Sequence, residues 1–246
     1  SNAGYICPSH FIPLAAPGVV RSGLRWMLDA SSPLYIKPSL NSDFLKWVWA
    51  FNKSATSSHV QKNAIHLRDF TVFSQELFQS IKKEEQFSFQ YDKKGLLMLC
   101  QTERQLEKEL EILTLAKSLN VHAKEISKDE LKILEPSIEI NGVGGVYFKN
   151  DHHTTPSVFM QQLKAHLKSK GVRVLANESV VDFKMNQRKI ESIVTDKQTL
   201  YSDEFVMASG SWSADLCKKL GLKLLLQAGK GYSMNTQVST GITIPT

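Results

Sequence analysis

The stretch from Glu204 to Gly221, EFVMASGSWSADLCKKLG, decides how the rest of the sequence is interpreted. Its first six residues are almost continuously apolar, as in a parallel strand that is buried on both faces. Small residues follow from Ala208 to Ser211, and a helix is predicted over 212–220. Ligands of open α/β sheets bind beyond the carboxyl ends of the strands, so this turn predicts close approach of a ligand to the backbone. The N–H groups that begin the helix are expected to be free for a phosphate. The structural alternative is an ordinary strand-to-helix turn with serine as the N-cap.

The composition is that of a globular protein with one large or two modest domains. The chain has 246 residues, of which 42% are hydrophobic. Its net charge of +6 is spread over mixed-charge segments. Because no basic stripe is interleaved with aromatic residues, nucleic-acid binding is not expected, whereas peripheral attraction to an anionic membrane stays open. Three isolated cysteines, Cys7, Cys100 and Cys217, indicate a reducing, cytoplasmic compartment and argue against a disulfide framework or a zinc site.

Hydrophobic periodicity predicts a mixture of helices and strands. Residues 4–40, rich in Pro, Gly and Ser, are expected to form an irregular loop. Two helices follow within 42–85, and the second carries an apolar stripe at helical spacing. The members of that stripe are Ile65, Phe70, Phe73, Leu77 and Ile81.

Further elements follow from turn and capping signals. Two strands are predicted around the Asp92–Gly95 turn, and helices are predicted to begin after Thr102 and at Pro156. VRVLAN is predicted to be a strand, and a meander with a hairpin at Asn186 and Gln187 comes next. KGYSMNT closes the chain as one more strand. The pattern favours a doubly wound unit over 156–220 with an α+β region inserted at 41–150.

Individual motifs leave the chemistry open. No G-x-G-x-x-G follows a strand, because Gly142, Gly144 and Gly145 do not have that spacing. The chain therefore lacks the usual pyrophosphate clamp. A backbone edge at Val180 matches the edge of a purine, although a buried valine is usually a core residue.

The DHH sequence at 151–153 resembles a metal site. Adjacent residues of an extended chain point to opposite faces, so we predict a structural role for Asp151, His152 and His153 and no metal. Nothing in the sequence near Cys7 lowers the pKa of its thiol. No Ser-His-Asp or paired-carboxylate pattern is found.

Together these motifs resemble a central piece of the D-amino acid dehydrogenases, within the FAD-dependent D-amino acid oxidase and glycine oxidase superfamily. The stretches that carry the resemblance are AGYICPSHFIPLAAPGV, FLKWVWAFNKSATSSHVQKN, GLLMLCQTERQLEKELEILTLAKSLNV, GVRVLANESVVDF, VMASGSWS and KGYSMN. The resemblance covers nearly the whole chain. It implies an α+β / α/β fold in which a partial, three-layered, Rossmann-like FAD-binding domain carries an inserted substrate domain of mixed sheet and helices.

The resemblance also implies a division of the chain. Residues 1–40 would lead from the FAD domain, 41–150 would be the substrate domain, 151–225 the second part of the FAD domain, and 226–246 a strand returning to the substrate domain. The family's phosphate-binding motif and its last segment are expected outside this chain. We therefore expect a truncated piece, with residues 1–3 as an expression-tag scar, that does not bind FAD tightly and is inactive by itself.

The resemblance assigns roles to particular positions. The expected cofactor contacts are Gly4, Tyr5 and Ile6 beside the flavin ring, Val180 at the adenine, and Ala208, Ser209, Gly210 and Trp212 along the dinucleotide. Tyr232 is a candidate for facing the substrate, and the opposite face of its strand is equally available. A core position is the alternative for Trp212. Arg21, Arg25 and Arg68 are interpreted as surface charges, so the ligand of the substrate carboxylate and the catalytic residues stay unassigned.

The implied reaction is oxidative deamination of a D-amino acid. A hydride passes from Cα to flavin N5, and the imino acid hydrolyses to a 2-oxo acid and ammonia. Electrons are expected to pass to a quinone or another acceptor, in the cytoplasm or at the inner face of the cytoplasmic membrane. A glycine or sarcosine-type amine oxidase is a close alternative, and a flavin-free binding module is the alternative from another class.

Overall fold

The computed structural model describes residues 4–19, 23, 40–85, 87–134, 136, 139–229 and 231. Within that part of the chain, residues 4–17 and 56–170 form one compact unit, and residues 40–55 and 171–229 belong to a second. The first helix after residue 40 thus groups with the later part of the chain. The assignment of the predicted domains to cofactor and substrate stays a prediction. The predicted strand KGYSMNT lies almost wholly outside the described residues.

Helices and antiparallel sheets alternate along the chain, as the predicted mixed α/β class requires. In chain order the elements are β1 (Tyr5–Ile6), α1 (Ser42–Ser54), α2 (Ser57–Glu84), β2 (Tyr91–Asp92), β3 (Leu96–Cys100), α3 (Glu103–Ser118), β4 (Ala123–Ser127), α4 (Lys128–Leu134), β5 (Gly144–Phe148), β6 (His152–Thr154), α5 (Pro156–Ser169), β7 (Val180–Asn186), β8 (Lys189–Thr195), β9 (Thr199–Tyr201), a 3-10 turn (Gly210–Trp212) and α6 (Ser213–Lys219).

The helices begin where the capping signals place them. Thr102 and Gln105 form a complete capping box at the start of α3, in which the Thr102 hydroxyl accepts the Gln105 N–H at 3.3 Å. Pro156 occupies the first turn of α5, where its missing N–H costs nothing. Thr155 differs from a standard N-cap, because its hydroxyl accepts the N–H of Gln90 instead of one from its own helix.

One sheet of the first unit joins the chain's start to its middle. β6 is the central strand, with β1 on one side and β2 on the other, both antiparallel. The predicted strand pair around Asp92–Gly95 is therefore wrong as a hairpin, since β2 and β3 belong to different sheets. At Gly95, which has a φ of +78°, the N–H donates to the carbonyl of Asp151 at 3.0 Å, and the chain leaves one sheet for the other.

A second sheet of this unit has the order β3-β5-β4. Gly144 and Gly145 lie in its central strand, and an ideal Cβ on Gly145 would overlap the carbonyl oxygen of Met98 on β3. Close strand approach therefore explains these glycines, which do not have the spacing of a phosphate-binding loop.

The core of the first unit includes a residue of the predicted loop. Phe11 has no exposed surface. The other fully packed members of its cluster are Ala64, Leu113, Ala116, Val121, Val146 and Phe148. Residues 4–12 are thus anchored structure, although the sequence pattern predicts an irregular loop.

The apolar stripe of α2 is not the buried side of this helix among the described residues. Phe70 is 72% exposed and Phe73 is 55% exposed, whereas Val60, Ala64 and Gln75 are the buried residues of this helix. Ala64 lets the core pack closely, and the Gln75 amide donates to the carbonyl of Asn150 at 2.7 Å. The buried face of α2 is therefore the one with a small residue and a hydrogen-bonding amide. It is not the face with the most large apolar residues.

The second unit contains the predicted meander. β7, β8 and β9 pair antiparallel in sequence order. The hairpin between β7 and β8 turns at Gln187 and Arg188, one residue later than predicted, and Gln187 adopts a φ of +54°. β7 is at the edge of this sheet, and α6 lies against it.

Two predicted strands of the second unit are wrong. Residues 172–177 and 204–209 have no strand hydrogen bonding, and every sheet pair among the described residues is antiparallel. Val206 is 91% exposed, so the predicted buried parallel strand is neither paired nor covered. An apolar run forms a strand only where a neighbour supplies hydrogen bonds, and no described segment lies beside these runs as a paired strand.

None of the helices that the structure describes is both long and apolar enough to cross a membrane.

Replacing Phe11 tests the anchoring of the first residues. We expect Phe11→Ala to lower the free energy of unfolding by about 3–5 kcal/mol, because it removes a fully buried ring. Leu14→Ala, in the same segment but 76% exposed, is the matched control, with an expected change below about 0.5 kcal/mol. Urea unfolding followed by circular dichroism measures both, and equal effects of the two variants would contradict the anchoring.

Candidate functional site

The bend after the predicted strand is open. Gly210 has a φ of +55°, and no atom lies within 4 Å of the point where its Cβ would stand. Ala208, Ser211 and Trp212 are exposed around it. The bend is thus not filled by the chain's own side chains, and an extended ligand can lie against the backbone. The assignment of these positions to a cofactor stays a prediction.

Two of the N–H groups at the start of this helix are hydrogen-bonded within the chain, whereas the sequence analysis expects them to be free. The Trp212 N–H donates to the carbonyl of Ser209 at 3.1 Å, and the Ser213 N–H donates to the carbonyl of Gly210. Ser209 and Ser213 also hydrogen-bond through their hydroxyls at 2.9 Å. These two N–H groups do not serve as a pyrophosphate clamp.

A cavity of about 1000 Å³ lies beside this bend. Its walls are α1, α6 and residues 222–228, and Ser211 contributes to the rim. Asp43 and Lys218 pair across it at 2.8 Å, and Lys218 lowers the pKa of the Asp43 carboxyl. The cavity combines a charged rim with an apolar wall.

The other predicted cofactor residues of this unit are accessible. Val180 begins the edge strand β7 and pairs on its inner side with Thr195. Trp212 is 72% exposed, so it is not a core aromatic of the described residues.

In the first unit, Gly4 has a packing role. Its φ is +87°, its carbonyl accepts the Thr154 N–H at 2.7 Å, and an ideal Cβ would overlap the Thr154 oxygen. Ile6 is buried, whereas Tyr5 is 53% exposed and meets the ring of His153 edge-on at 4.9 Å. Tyr5 is therefore the one of these three whose side chain is available to a ligand.

A cavity of about 330 Å³ lies next to Tyr5. It is mainly apolar, with four hydroxyl-bearing side chains among its walls. The lining residues are Tyr5, Ile6, Cys7, Thr71, Ser74, Phe78, Thr154, Pro156, Phe159 and Met160. Such a space suits a small apolar group and offers no charge to hold a carboxylate.

A buried carboxylate organises the residues that follow β1. Asp151 has no exposed surface, and its oxygens accept the Ser9 N–H at 3.1 Å and the Ser9 hydroxyl at 2.5 Å. The Cys7 thiol also hydrogen-bonds to it. Burial raises the pKa of Asp151, and burial together with the neighbouring Asp151 raises the pKa of the Cys7 thiol far above its ordinary range. The prediction that nothing lowers the pKa of Cys7 is confirmed.

The residues of the DHH sequence have separate partners. His152 Nδ1 lies 2.7 Å from the Tyr91 hydroxyl, and His153 packs on Tyr5, while Asp151 holds Ser9. Burial and the positive charge of Lys93 lower the pKa of His152. Burial raises the pKa of Tyr91 to about 12. These three consecutive side chains do not converge on one point.

The side chain of Arg68 is held by contacts within the protein. Its guanidinium donates to the carbonyl of Leu119 at the end of α3 and pairs with Asp69 at 2.6 Å. It is thus not free to bind a substrate carboxylate. Arg21, Arg25 and Tyr232 lie outside the described residues.

A sequence model described as DAO, FAD dependent oxidoreductase, matches residues 15–245. The chain belongs to this family of FAD-dependent oxidoreductases. Proteins named D-amino acid dehydrogenase are similar along its length. The one from Vibrio vulnificus (strain CMCP6) is 29% identical over 242 residues, which cover 97% of this chain and 58% of the relative. The one from Helicobacter pylori is 29% identical over 233 residues, covering 95% of this chain and 55% of the relative.

Solved structures of FAD-dependent oxidoreductases share the fold. The glycine oxidase from Geobacillus kaustophilus has a TM-score of 0.59 at 17% identity, over 90% of this chain and 48% of that protein. The glycine oxidase from Bacillus cereus has a TM-score of 0.54 at 20% identity, over 60% of this chain and 40% of that one. These identities support the fold and not the substrate. The chain spans 55–58% of the length of the two D-amino acid dehydrogenases from Vibrio vulnificus and Helicobacter pylori.

The Asp151 network of this FAD-dependent oxidoreductase was not predicted from the sequence. Ser9 and Asp151 are 142 positions apart, and no local pattern joins them. The available signals were the compact CPSH turn at 7–10 and an acidic residue that follows a buried strand.

Thiol labelling tests the state of Cys7. Because the raised pKa leaves Cys7 protonated near neutral pH, and because its side chain is buried, we expect slow reaction with a thiol reagent at pH 8. Burial also raises the pKa of Cys100, so Cys217, which is partly exposed, should react first. Mass spectrometry of the labelled chain measures this order, and Cys217→Ser is the control that should abolish the fast phase. Fast labelling of Cys7 would contradict the buried network.

Proposed function

We propose that this chain is the central part of a longer flavoprotein that oxidises D-amino acids to 2-oxo acids and ammonia. The supporting observation is the similarity to proteins named D-amino acid dehydrogenase, which extends over 97% of the chain. The open bend at Gly210 agrees with it, because a long cofactor needs backbone without bulky side chains. The chemistry that FAD supplies when bound is acceptance of a hydride from Cα of the amino acid at flavin N5.

The residues of this chain would position the cofactor and exclude water. Ala208–Trp212 would lie along the dinucleotide, and the free edge of β7 at Val180 would face the adenine. Gly4, Tyr5 and Ile6 would pass beside the flavin ring, with Tyr5 as the exposed contact. Tyr232 remains the candidate for the substrate.

The substrate carboxylate needs a cationic partner that the described residues near Tyr5 do not supply. The cavity beside Tyr5 is lined by apolar and hydroxyl side chains, and Arg68 is already paired. We therefore assign the carboxylate ligand to residues outside the described set. That cavity suits the side chain of the amino acid.

The electron acceptor in this proposal is a quinone or another acceptor, with the protein in the cytoplasm or attached peripherally to the inner face of the cytoplasmic membrane. The net charge of +6 supports attraction to anionic lipids. A glycine or sarcosine-type amine oxidase is the second candidate, favoured by the fold shared with the glycine oxidase from Geobacillus kaustophilus. A flavin-free binding module is the third, because the bend's N–H groups are already paired.

Flavin reduction distinguishes these candidates. The full-length protein, purified and kept without oxygen, should contain FAD, and D-alanine should bleach its flavin absorbance. L-alanine, glycine and sarcosine should leave the spectrum unchanged. Bleaching by glycine or sarcosine and not by D-alanine would favour the amine oxidase, and a colourless protein that takes up no FAD would favour the binding module.

A pair of glycine variants tests the bend. Gly210 and Gly221 lie on either side of α6, both have a positive φ, and neither has an atom within 4 Å of an added Cβ. Valine at either position costs about 1–2 kcal/mol of backbone strain. We expect Gly210→Val in the full-length protein to weaken FAD binding at least about 10-fold, which is about 1.4 kcal/mol.

Gly221→Val is the matched control and should keep the FAD affinity of the parent protein. Flavin fluorescence titration of the apoprotein measures both. Equal affinities of the two variants would show that the cofactor does not lie against residues 208–211.

A further inference from the structure

The turn after β1 presents two metal-ligand side chains together. Residues 7–10 form a four-residue turn in which the His10 N–H donates to the carbonyl of Cys7 at 3.1 Å. Such a turn brings its first and fourth residues close to each other. The thiol of Cys7 and the imidazole of His10 are therefore neighbours although two residues separate them.

A third ligand type comes from another part of the chain. Asp151 lies between β5 and β6, and its carboxylate is buried beside the same turn. One atom each from Cys7, His10 and Asp151 lie within 4.8 Å of one another. The group thus offers one sulfur, one nitrogen and one oxygen ligand.

The composition of this group suits one class of cation. Zinc binds thiolate, imidazole and carboxylate at about 2.0–2.3 Å, usually in a tetrahedron. Ligand atoms of such a tetrahedron are about 3.5 Å apart, so the three side chains must close by about 1 Å, which side-chain rotation supplies. Thiolate selects against Mg²⁺ and Ca²⁺, which prefer oxygen ligands.

The charges of the ligands and the solvent access of the group also suit a divalent ion. One thiolate and one carboxylate balance the two positive charges of the ion, so the buried site would carry no net charge. Cys7 and Asp151 are buried, whereas His10 is exposed and gives a path from solvent. A water molecule can complete the tetrahedron on that side.

Supporting hydrogen bonds are already in place. Ser9 donates its N–H and its hydroxyl to the Asp151 carboxylate, which fixes the orientation of that group. Outer hydrogen bonds of this kind orient ligands in metal sites. The Ser9 hydroxyl also lies 3.1 Å from His10 Nδ1, so Ser9 contacts both the carboxylate and the imidazole of the group.

We propose that Cys7, His10 and Asp151 form a binding site for a zinc-type divalent transition-metal ion. The ion would join the turn after β1 to the β5–β6 connection. Its role would be to hold Tyr5 and Ile6 in place. The site lies wholly within the first unit and does not depend on FAD.

Cobalt provides the spectroscopic test. The 246-residue chain, reduced and treated with chelator, is titrated with Co²⁺, which substitutes for Zn²⁺ and gives a thiolate-to-cobalt absorption band in the near ultraviolet. We expect saturation at one cobalt per chain and loss of the band on addition of Zn²⁺. Absence of a saturable band would overturn the proposal and leave a structural hydrogen-bond network.

Variants identify the ligands. Cys7→Ser should abolish the band, and His10→Ala should weaken cobalt binding at least about 10-fold. His10 is exposed, so its variant is expected to fold even if Asp151→Asn does not, and circular dichroism checks each variant. Cys217→Ser, which removes the partly exposed thiol, should keep the band. A band that persists in Cys7→Ser, or is lost in Cys217→Ser, would place the thiolate elsewhere and overturn the site.

Discussion

The hydrogen bonds between Asp151 and Ser9 hold the first unit together. A carboxylate without exposed surface is costly to bury unless donors surround it, and Ser9 supplies two of them from 142 positions away. This contact fixes the chain between β1 and Phe11. β1 can then pair with β6, and Phe11 can enter the core.

The local part of the fold could be predicted from the sequence. The capping box at Thr102, the proline at the start of α5 and, to within one residue, the hairpin turn at Gln187 each depend on neighbouring residues. The interactions that stabilise each of these features involve only residues that are close in the sequence. The same holds for the open bend at Gly210, where a run of small residues already indicates an uncovered backbone.

The remaining features depend on distant partners. β1 has two residues and β6 has three, too few for any periodicity, and they pair across 148 positions. On α2 the large apolar residues outnumber the small ones, yet the buried face is set by the close packing of Ala64. Runs 172–177 and 204–209 are apolar but neither buried nor paired, because an apolar pattern does not identify the neighbouring strand that would pair with it. The N–H groups of the bend are a different case, because their acceptors lie only three residues earlier, in a 3-10 turn that the sequence analysis does not predict.

The buried thiol beside Asp151 bears on oxidative damage. Peroxide attacks the thiolate form of cysteine, and the first product, a sulfenic acid, needs space and access to react further. Without a bound metal ion, burial and the neighbouring Asp151 raise the pKa of the Cys7 thiol, so Cys7 stays protonated and is expected to react slowly with peroxide. This chain therefore carries, directly after the residues that the proposed function places beside the flavin, a thiol of low reactivity.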